Sequence, residues 1–279
     1  MTALRPCPAC GEPRSEWAFV SHGFPCVRCN ACSTLFVAPL PSADVVQATY
    51  LEPDYHETAE SAATRMRAEA DARVRTIIAL GATRVVEVGC GPGHFLDAAR
   101  ELGLHIEGVD PARTAVAAAA RGHVVHPMFL EAFRPAKPFD ALALWEVIEH
   151  LPDPHDALRR MRAWLAPGAV LALSTPSMSG LPARLLGRNF PMITPPDHLA
   201  LFTKAGLSRL LERSGFEPVR WSSFSNLDAP TLARAVQRRL LGGRAPTVAA
   251  VLGRLGRVPA QWIDRAGLGT SFEVYARVR

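Results

Sequence analysis

The stretch VVEVGCGPGHFLDAA, residues 85–99, decides the fold of this chain. Its β-branched start predicts a short strand, because such residues suit a buried pleated surface. Gly89, Gly91 and Gly93 then predict a tight turn in which a ligand can approach the backbone. Apolar residues at helical spacing follow. A strand, a glycine loop and a helix N-terminus in this order predict a nucleotide-binding turn, because free N–H groups and the helix dipole point at the ligand.

Two nucleotide cofactors compete for this loop. The dinucleotide fingerprint G-x-G-x-x-G would need a glycine at position 94, where the chain has His94. The alternative, an acidic residue, one spacer and G-x-G-x-G, is satisfied by Glu87 and the three glycines. Asp110 ends a second predicted strand, 21 residues after Gly89, where a carboxylate can accept two hydrogen bonds from a ribose diol. NAD and S-adenosylmethionine (SAM) both carry that diol, so Asp110 supports a nucleoside without choosing between them.

Composition bounds the class of protein. A chain of 279 residues with 48% hydrophobic content can bury one large domain and a small one. The N-terminal segment has no signal-peptide pattern and no stretch is apolar enough to span a bilayer, which predicts a cytoplasmic protein with reduced cysteines. Arginine supplies nearly all of the positive charge behind the net +5, and so modest an excess is weak support for an acidic partner.

The first 32 residues predict a metal site. Cys7 and Cys10 form one C-x-x-C pair, and Cys26, Cys29 and Cys32 form a C-x-x-C-x-x-C run. Two such knuckles suit tetrahedral Zn²⁺, and a strand-like run after the second one favours Cys7, Cys10, Cys29 and Cys32 as ligands, with Cys26 spare. An iron–sulfur cluster is the alternative, but it would need a fourth cysteine near position 36. Four thiolates leave no open position, which predicts a structural zinc.

A second informative segment is FDALALWEVIEHLPDP, residues 139–154. Its first half predicts a fourth strand, and its second half follows the carboxyl end of that strand, where α/β sheets bind ligands. A helix over 157–165 should follow, ended by Pro167 and Gly168, and then a fifth strand. His150 in this segment and His198 in the loop after the fifth strand are the candidate catalytic bases, with Glu149 behind them. Each could instead have a structural role, because geometry decides whether a group can act as a base.

Several segments together carry a family resemblance. FDALALWEVIEHLPDP, WLAPGAVLALSTP and PPDHLALFTKAGLSRLLERSGFEP resemble the class I SAM-dependent methyltransferases related to the ubiquinone-biosynthesis methyltransferases. CPACG (7–11) and RCNAC (28–32) resemble the N-terminal zinc-ribbon segment of a subset of them, with Ser33 where a glycine is usual. The resemblance implies an α/β fold: a Rossmann-like, seven-stranded class I methyltransferase sheet with an antiparallel last strand, preceded by a small zinc-ribbon module.

The resemblance also implies a cofactor site. The acidic residue and the glycines of the loop would line the methionine half of SAM, the aspartate after the second strand would hold the ribose, and two residues after the fourth strand would flank the cofactor. In place of the usual Gly-Asp that frames the adenine, the chain has Pro127-Met128-Phe129, which implies stacking by an apolar side chain. The implied cofactor-binding residues are Glu87, Gly89, Gly91, Gly93, Asp110, Phe129, Trp145 and Glu146.

Domain boundaries follow from these assignments. We expect a zinc-ribbon-like module over 1–48, a helical linker over 49–80 and the SAM-binding domain over 81–279, with a helical insertion at 226–269. The insertion is rich in arginine: Arg234, Arg238, Arg239, Arg244, Arg254, Arg257 and Arg265. It is interpreted as a helical cap with a solvated face, or alternatively as a lid for an anionic or lipid-like substrate.

These patterns predict a SAM-dependent methyltransferase that modifies a small-molecule biosynthetic intermediate. An RNA methyltransferase with a zinc-ribbon RNA-binding module is the alternative, disfavoured because the basic residues show no aromatic interleaving. A SAM-binding regulator is a third interpretation. The zinc module should dock beside the SAM pocket through residues 45–55. The sequence does not predict the acceptor atom or the oligomeric state.

Overall fold

The computed structural model describes residues 5–51, 60–225 and 262–279. Within them, strands and helices alternate along most of the chain. The strands are β1 (Ser15–Ser21), β2 (Phe24–Cys29), β3 (Leu35–Val37), β4 (Arg84–Val88), β5 (His105–Val109), β6 (Val124–His126), β7 (Phe139–Trp145), β8 (Leu165–Pro176), β9 (Ala200–Leu201), β10 (Phe216–Phe224) and β11 (Ser271–Val278). The helices are α1 (Ala43–Leu51), α2 (Glu60–Ala79), α3 (His94–Glu101), α4 (Ala115–Ala120), α5 (Pro154–Arg162), α6 (Leu181–Leu186) and α7 (Lys204–Arg213).

Seven strands form the main sheet, in the order β10-β11-β8-β7-β4-β5-β6. Strand β11 pairs antiparallel with both β10 and β8, whereas the pairs from β8 to β6 are parallel. Strand β7 and the second half of β8 are almost continuously buried, as expected of parallel strands covered on both faces. The predicted α/β, Rossmann-like seven-stranded sheet with an antiparallel last strand is confirmed.

One local prediction is wrong. Helix α5 ends at Arg162, and Pro167 and Gly168 lie inside the range of β8 instead of ending a helix. Between Phe139 and Ala141 of β7 the partners advance from Leu165 to Val170, so the ladder is irregular there. Gly168 has a φ of +73°. A bulge accommodates a proline, which cannot donate to a ladder, and a glycine with positive φ.

The cysteine-rich segment forms a second, four-stranded sheet in the order β1-β2-β3-β9. Its fourth strand comes from the main domain, more than 160 residues later, and pairs antiparallel with β3. Buried side chains of this segment, among them Val27 and Phe36, belong to the same hydrophobic cluster as Leu207 and Leu210 of α7. The cysteine-rich segment therefore shares the main hydrophobic core.

The linker and the insertion are described only in part. Helix α2 packs through Val74 and Ile77 against α3 and the face of the main sheet that carries Tyr275. Residues 52–59, which include Tyr55 of the predicted docking segment, and residues 226–261, which carry most of the arginine-rich insertion, lie outside the described residues. In the ranges that are described, none of the helices has the length and apolarity needed to cross a membrane.

Candidate functional site

The glycine loop joins β4 to α3, and its three glycines have different structural reasons. All three have positive φ, between +46° and +85°. A Cβ on Gly89 would lie 2.5 Å from Val147 Cγ2, and a Cβ on Gly93 would lie 2.7 Å from Ala118 Cβ. A Cβ on Gly91 would meet nothing within 4 Å. Two glycines therefore permit close packing, whereas Gly91 faces the open space where a ligand can approach.

Asp110 and Glu87 lie beside this loop at the ends of adjacent strands. Asp110 Oδ2 accepts a hydrogen bond of 2.7 Å from the Gly91 N–H, and Oδ1 accepts one of 2.7 Å from the Ala112 N–H. Each carboxylate oxygen retains a lone pair for a further donor. Glu87 is buried, and its Oε2 has no hydrogen-bond partner among the described residues. Burial, and secondly the charge of Asp110, raise the pKa of Glu87 well above its usual range.

Trp145 is the last residue of β7 and Glu146 follows it, at the same edge of the sheet. The Trp145 ring packs against Phe95, with centroids 5.3 Å apart, and the Arg73 guanidinium lies 4.3 Å from its centroid. Trp145 Nε1 and Glu146 Oε1 are buried without a hydrogen-bond partner within the described ranges. Unsatisfied buried polar atoms are rare in folded proteins and call for an explanation. Here they lie at the carboxyl end of β7, the strand that pairs with β4 and its Glu87, at the predicted cofactor edge.

Glu146 has an unusual backbone. Its φ is +55°, a left-handed value that costs about 1–3 kcal/mol for a non-glycine residue and is found most often at functional sites. Its N–H donates to both the carbonyl and the hydroxyl of Ser174, each at 3.1 Å. Burial, and then the charge of Glu149, raise the pKa of the Glu146 carboxyl to about 8. The carboxyl therefore holds a proton at neutral pH.

We expect the Glu146→Gln variant to lose stability less steeply with rising pH than the wild type. The pKa of Glu146 is about 8 in the folded state and about 4.5 when unfolded, so the stability it contributes is full below pH 4.5 and is lost as the pH rises towards 8. Glutamine keeps the shape and does not titrate. Urea unfolding between pH 6 and 9 measures the difference, with Glu131→Gln on the exposed surface as control. Parallel curves of stability against pH for Glu146→Gln and the wild type would contradict the raised pKa of Glu146.

Two histidines from different loops meet at the carboxyl ends of β7 and β8. The rings of His150 and His198 lie 4.7 Å apart in a T-shaped arrangement. His150 is buried, and its Nδ1 lies 3.0 Å from both the carbonyl oxygen and Oδ1 of Asp197. Burial lowers the pKa of His150. The hydrogen bond to Asp197 and the charges of Glu149 and Asp197 together outweigh burial and raise the pKa to about 9. His150 is therefore protonated at neutral pH.

His198 is held differently. Its Nδ1 lies 2.6 Å from the Met192 carbonyl oxygen, which can only accept, so Nδ1 carries the proton. In the neutral ring Nε2 is then the basic nitrogen. It lies 3.6 Å from Asp197 Oδ2. Beside the pair, the buried Glu149 carboxylate accepts a 2.9 Å hydrogen bond from the Thr175 hydroxyl. The structure thus brings both predicted bases into one polar cluster.

The structure shows two candidate functional residues, Asp197 and Arg73, that are not predicted from the sequence. Asp197 orients His150. The Arg73 guanidinium packs on the Trp145 ring and forms an ion pair of 2.9 Å with Glu273. Arg73 has no local motif. The PPD tripeptide before His198 could have suggested Asp197 as a partner of a histidine. Phe129 is half-buried in the loop after β6, and its role towards an adenine stays a prediction.

The four cysteines predicted as metal ligands come together, whereas Cys26 lies apart. Cys7 and Cys32 sulfurs are 3.6 Å apart, those of Cys10 and Cys29 are 3.5 Å apart, and all four lie within 4.8 Å of one another. Tetrahedral Zn²⁺ with Zn–S bonds of about 2.3 Å places its sulfurs about 3.8 Å apart. The Ala31 N–H donates to the Cys29 sulfur at 3.4 Å. The cluster therefore fits the predicted ion.

The family of the chain can now be decided. A family model described as a methyltransferase domain matches residues 51–220, which is more than half of the chain and includes the glycine loop, Asp110 and both histidines. The chain belongs to this methyltransferase family. The prediction that it is a SAM-dependent methyltransferase is confirmed at the level of enzyme class.

Several curated relatives of this methyltransferase are named ubiquinone biosynthesis O-methyltransferase. The protein from Nitrobacter winogradskyi is 30% identical over 57% of this chain and 70% of its own length. The protein from Bradyrhizobium sp. is 25% identical over 72% of this chain and 85% of its own length. A third, from Bradyrhizobium diazoefficiens, is 33% identical, but the match spans only 43% of that protein.

Solved structures support the fold. A SAM-dependent methyltransferase from Mesorhizobium loti has a TM-score of 0.52 and 22% identity, over 76% of this chain and 99% of its own. The [4+2]-cyclase SpnF has a TM-score of 0.52 and 20% identity, over 84% of this chain and 91% of its own. Because one of these two neighbours is named as a cyclase, the shared fold by itself does not determine the reaction.

Proposed function

We propose that this methyltransferase transfers a methyl group from SAM to a hydroxyl of a small-molecule biosynthetic intermediate. The observation that carries the proposal is the arrangement at one edge of the sheet, where the buried Glu87 and Asp110 lie at the ends of adjacent strands and a Cβ on Gly91, which bonds Asp110, would meet nothing within 4 Å. The relatives named above support oxygen as the acceptor atom, because they are O-methyltransferases by name. The same relatives give no support to RNA as the acceptor.

The residues at this edge suit SAM. Glu87 would accept hydrogen bonds from the methionine ammonium, which would satisfy its unpartnered Oε2 and favour the charged carboxylate. Asp110 would accept from the ribose hydroxyls through the lone pairs that remain after its bonds to Gly91 and Ala112. When bound, SAM supplies a methyl group already activated by its sulfonium. Trp145 and Glu146 would flank it, and Phe129 would lie against the adenine.

The chain itself has to align the acceptor and exclude water. Positioning of this kind can be worth roughly 7–11 kcal/mol of the barrier. His198 is the better of the two candidate bases, because its Nε2 is the basic nitrogen of the neutral ring. His150 holds a proton at neutral pH and would orient Asp197 and His198. A base of this kind adds about 10²–10⁴-fold when the acceptor hydroxyl loses its proton.

The four-cysteine cluster is proposed to hold a structural zinc ion. Its sulfur spacing fits the tetrahedral geometry, and four thiolates would leave no position for a water or a substrate. The ion therefore would not activate a nucleophile. The zinc would stabilise β2, β3 and the knuckles around them, in a segment too small to fold on its own core.

We expect calorimetry to show binding of SAM and S-adenosylhomocysteine and no binding of NAD. Glu87 and His94 explain the preference, since the loop has an acidic residue before the first glycine and lacks the third glycine of the dinucleotide fingerprint. The acceptor class can be tested by S-adenosylhomocysteine formation with catechols, phenolic acids, alcohols and amines. Tight NAD binding without SAM binding would refute the proposal. RNA binding with a steep salt dependence would favour the nucleic-acid alternative instead.

A further inference from the structure

Arg5 joins three distant segments of the backbone. Its Nε donates to the Val37 carbonyl at 3.0 Å, its Nη1 to the Pro152 carbonyl at 2.8 Å and its Nη2 to the Leu199 carbonyl at 3.4 Å. The guanidinium also lies 5.5 Å from the centroid of the Phe36 ring. A planar guanidinium presents its donors in a rigid fork, so it can bind several carbonyls at once in one geometry.

The three carbonyls belong to functionally different parts of the fold. Val37 ends β3 of the cysteine-rich sheet. Pro152 lies two residues after His150, in the loop that follows β7. Leu199 comes directly after His198, in the loop that follows β8. Arg5 therefore contacts both histidine loops and the cysteine-rich sheet through one side chain.

Leu199 is the residue at which these segments meet. Its N–H donates to the Glu149 carbonyl at 2.9 Å, and its carbonyl accepts from the Val37 N–H at 3.0 Å as well as from Arg5. Leu199 is fully buried. The backbone next to His198 is thus bonded both to the backbone next to His150 and to β3.

The segment that follows His198 depends on the same sheet. Strand β9 is only two residues long and forms by pairing with Leu35 and Phe36 of β3. The Thr203 hydroxyl, which caps α7 by accepting from the Gly206 N–H at 3.0 Å, donates to the Cys32 carbonyl at 2.5 Å. So short a strand has little stability of its own, and its position is set by the cysteine-rich sheet.

We propose that Arg5 is a positioning residue, which sets the relative placement of His150 and His198 from the cysteine-rich sheet. The inference rests on the proposed role of this histidine pair at the acceptor side of the reaction. Arg5 donates its hydrogen bonds to the backbone of their loops and of β3, so it acts through that backbone. A misplacement of about 1 Å in a reacting group can cost on the order of 10²-fold in rate, so such a residue affects turnover without touching the cofactor.

The Arg5→Met variant tests this role, because methionine keeps a long apolar stem over Phe36 and removes all three donors. We expect faster hydrogen exchange at the Leu199 amide, altered imidazole ¹⁵N shifts of His150 and His198, and SAM affinity within about twofold of the wild type. With any acceptor that the wild type methylates, kcat should fall about 10- to 100-fold with little change in the KM for SAM. Arg5→Lys should restore part of each change.

The matched control is Arg14→Met, in the same segment. Arg14 is exposed and bonds the Glu12 side chain, away from both loops. Unchanged exchange at Leu199 and unchanged imidazole shifts in Arg5→Met would overturn the proposal, as would equal losses of SAM affinity and turnover. If Arg5→Met does not fold, Arg5→Lys decides by the same two readouts. Both readouts work without an acceptor, so a wild type that methylates nothing would refute the proposed function separately.

Discussion

Replacing Cys29 by serine is expected to abolish zinc binding and to lower the Tm of the chain by on the order of 10 °C. A serine hydroxyl does not ionise at neutral pH and is a poor ligand, so three thiolates would remain. Structural zinc contributes apparent binding energies of about 10–16 kcal/mol in finger peptides. Only part of this stabilisation would be lost, because the segment also shares the main hydrophobic core. Each kcal/mol of lost stability lowers the Tm of a chain of this size by roughly 2–4 °C, so a loss of several kcal/mol gives the expected shift.

The effect on function should be uneven. Turnover should fall more than SAM affinity, because β9 and Thr203 connect the cluster to the loop of His198, whereas Gly91 and Asp110 belong to β4, β5 and the turns after them. Elemental analysis gives the zinc content, calorimetry gives the SAM affinity, and the melting curve gives the Tm.

Cys26→Ala is the matched control for this variant. Cys26 is equally buried and lies in the same sheet, but its sulfur is directed to the Phe24 carbonyl at 3.7 Å and is not part of the cluster. The Cys26→Ala variant should keep one zinc per chain. A wild type without metal, or a metal-free chain with unchanged Tm and activity, would contradict the structural role. A zinc with only three sulfur ligands would favour a catalytic role instead.

The parts of the site that the sequence predicts are those with a local pattern. The glycine loop follows from three glycines next to a β-branched strand, and Asp110 follows from its distance along the chain to that loop. The cysteine cluster follows from two knuckles with fixed spacing. In each case a few neighbouring residues determine the geometry, so no knowledge of the tertiary structure is needed.

The parts that the sequence does not predict are formed by long-range pairing. Leu199 bonds both Glu149 and Val37, and a two-residue strand such as β9 has no periodicity of its own. Arg5 has no motif, because its three acceptors are carbonyls and every residue has one. The bulge at Pro167 also depends on long-range pairing. Proline and glycine usually end an element, and only the ladder with β7 shows that β8 continues through them.

Replacing Asp110 by asparagine is expected to weaken SAM and S-adenosylhomocysteine binding about 10- to 100-fold. The carboxylate already accepts from the Gly91 and Ala112 N–H groups at 2.7 Å and would also accept from the ribose hydroxyls. An amide has one acceptor atom in place of two, so its NH₂ group would face an N–H donor or a hydroxyl. Hydrogen bonds to a charged group are worth about 1.5–3 kcal/mol each, and about 1.4 kcal/mol is a tenfold change in affinity.

Calorimetry with both ligands measures this loss, and the two affinities should fall in parallel because both ligands carry the same ribose. The Tm and zinc content should stay close to the wild type, since Asp110 lies in the main sheet region and not near the cysteine cluster. Asp156→Asn, on the surface of α5, is the control for removing one negative charge. Unchanged affinity in Asp110→Asn would place the ribose elsewhere. A loss for SAM alone would mean that Asp110 senses the sulfonium charge and does not hold the diol.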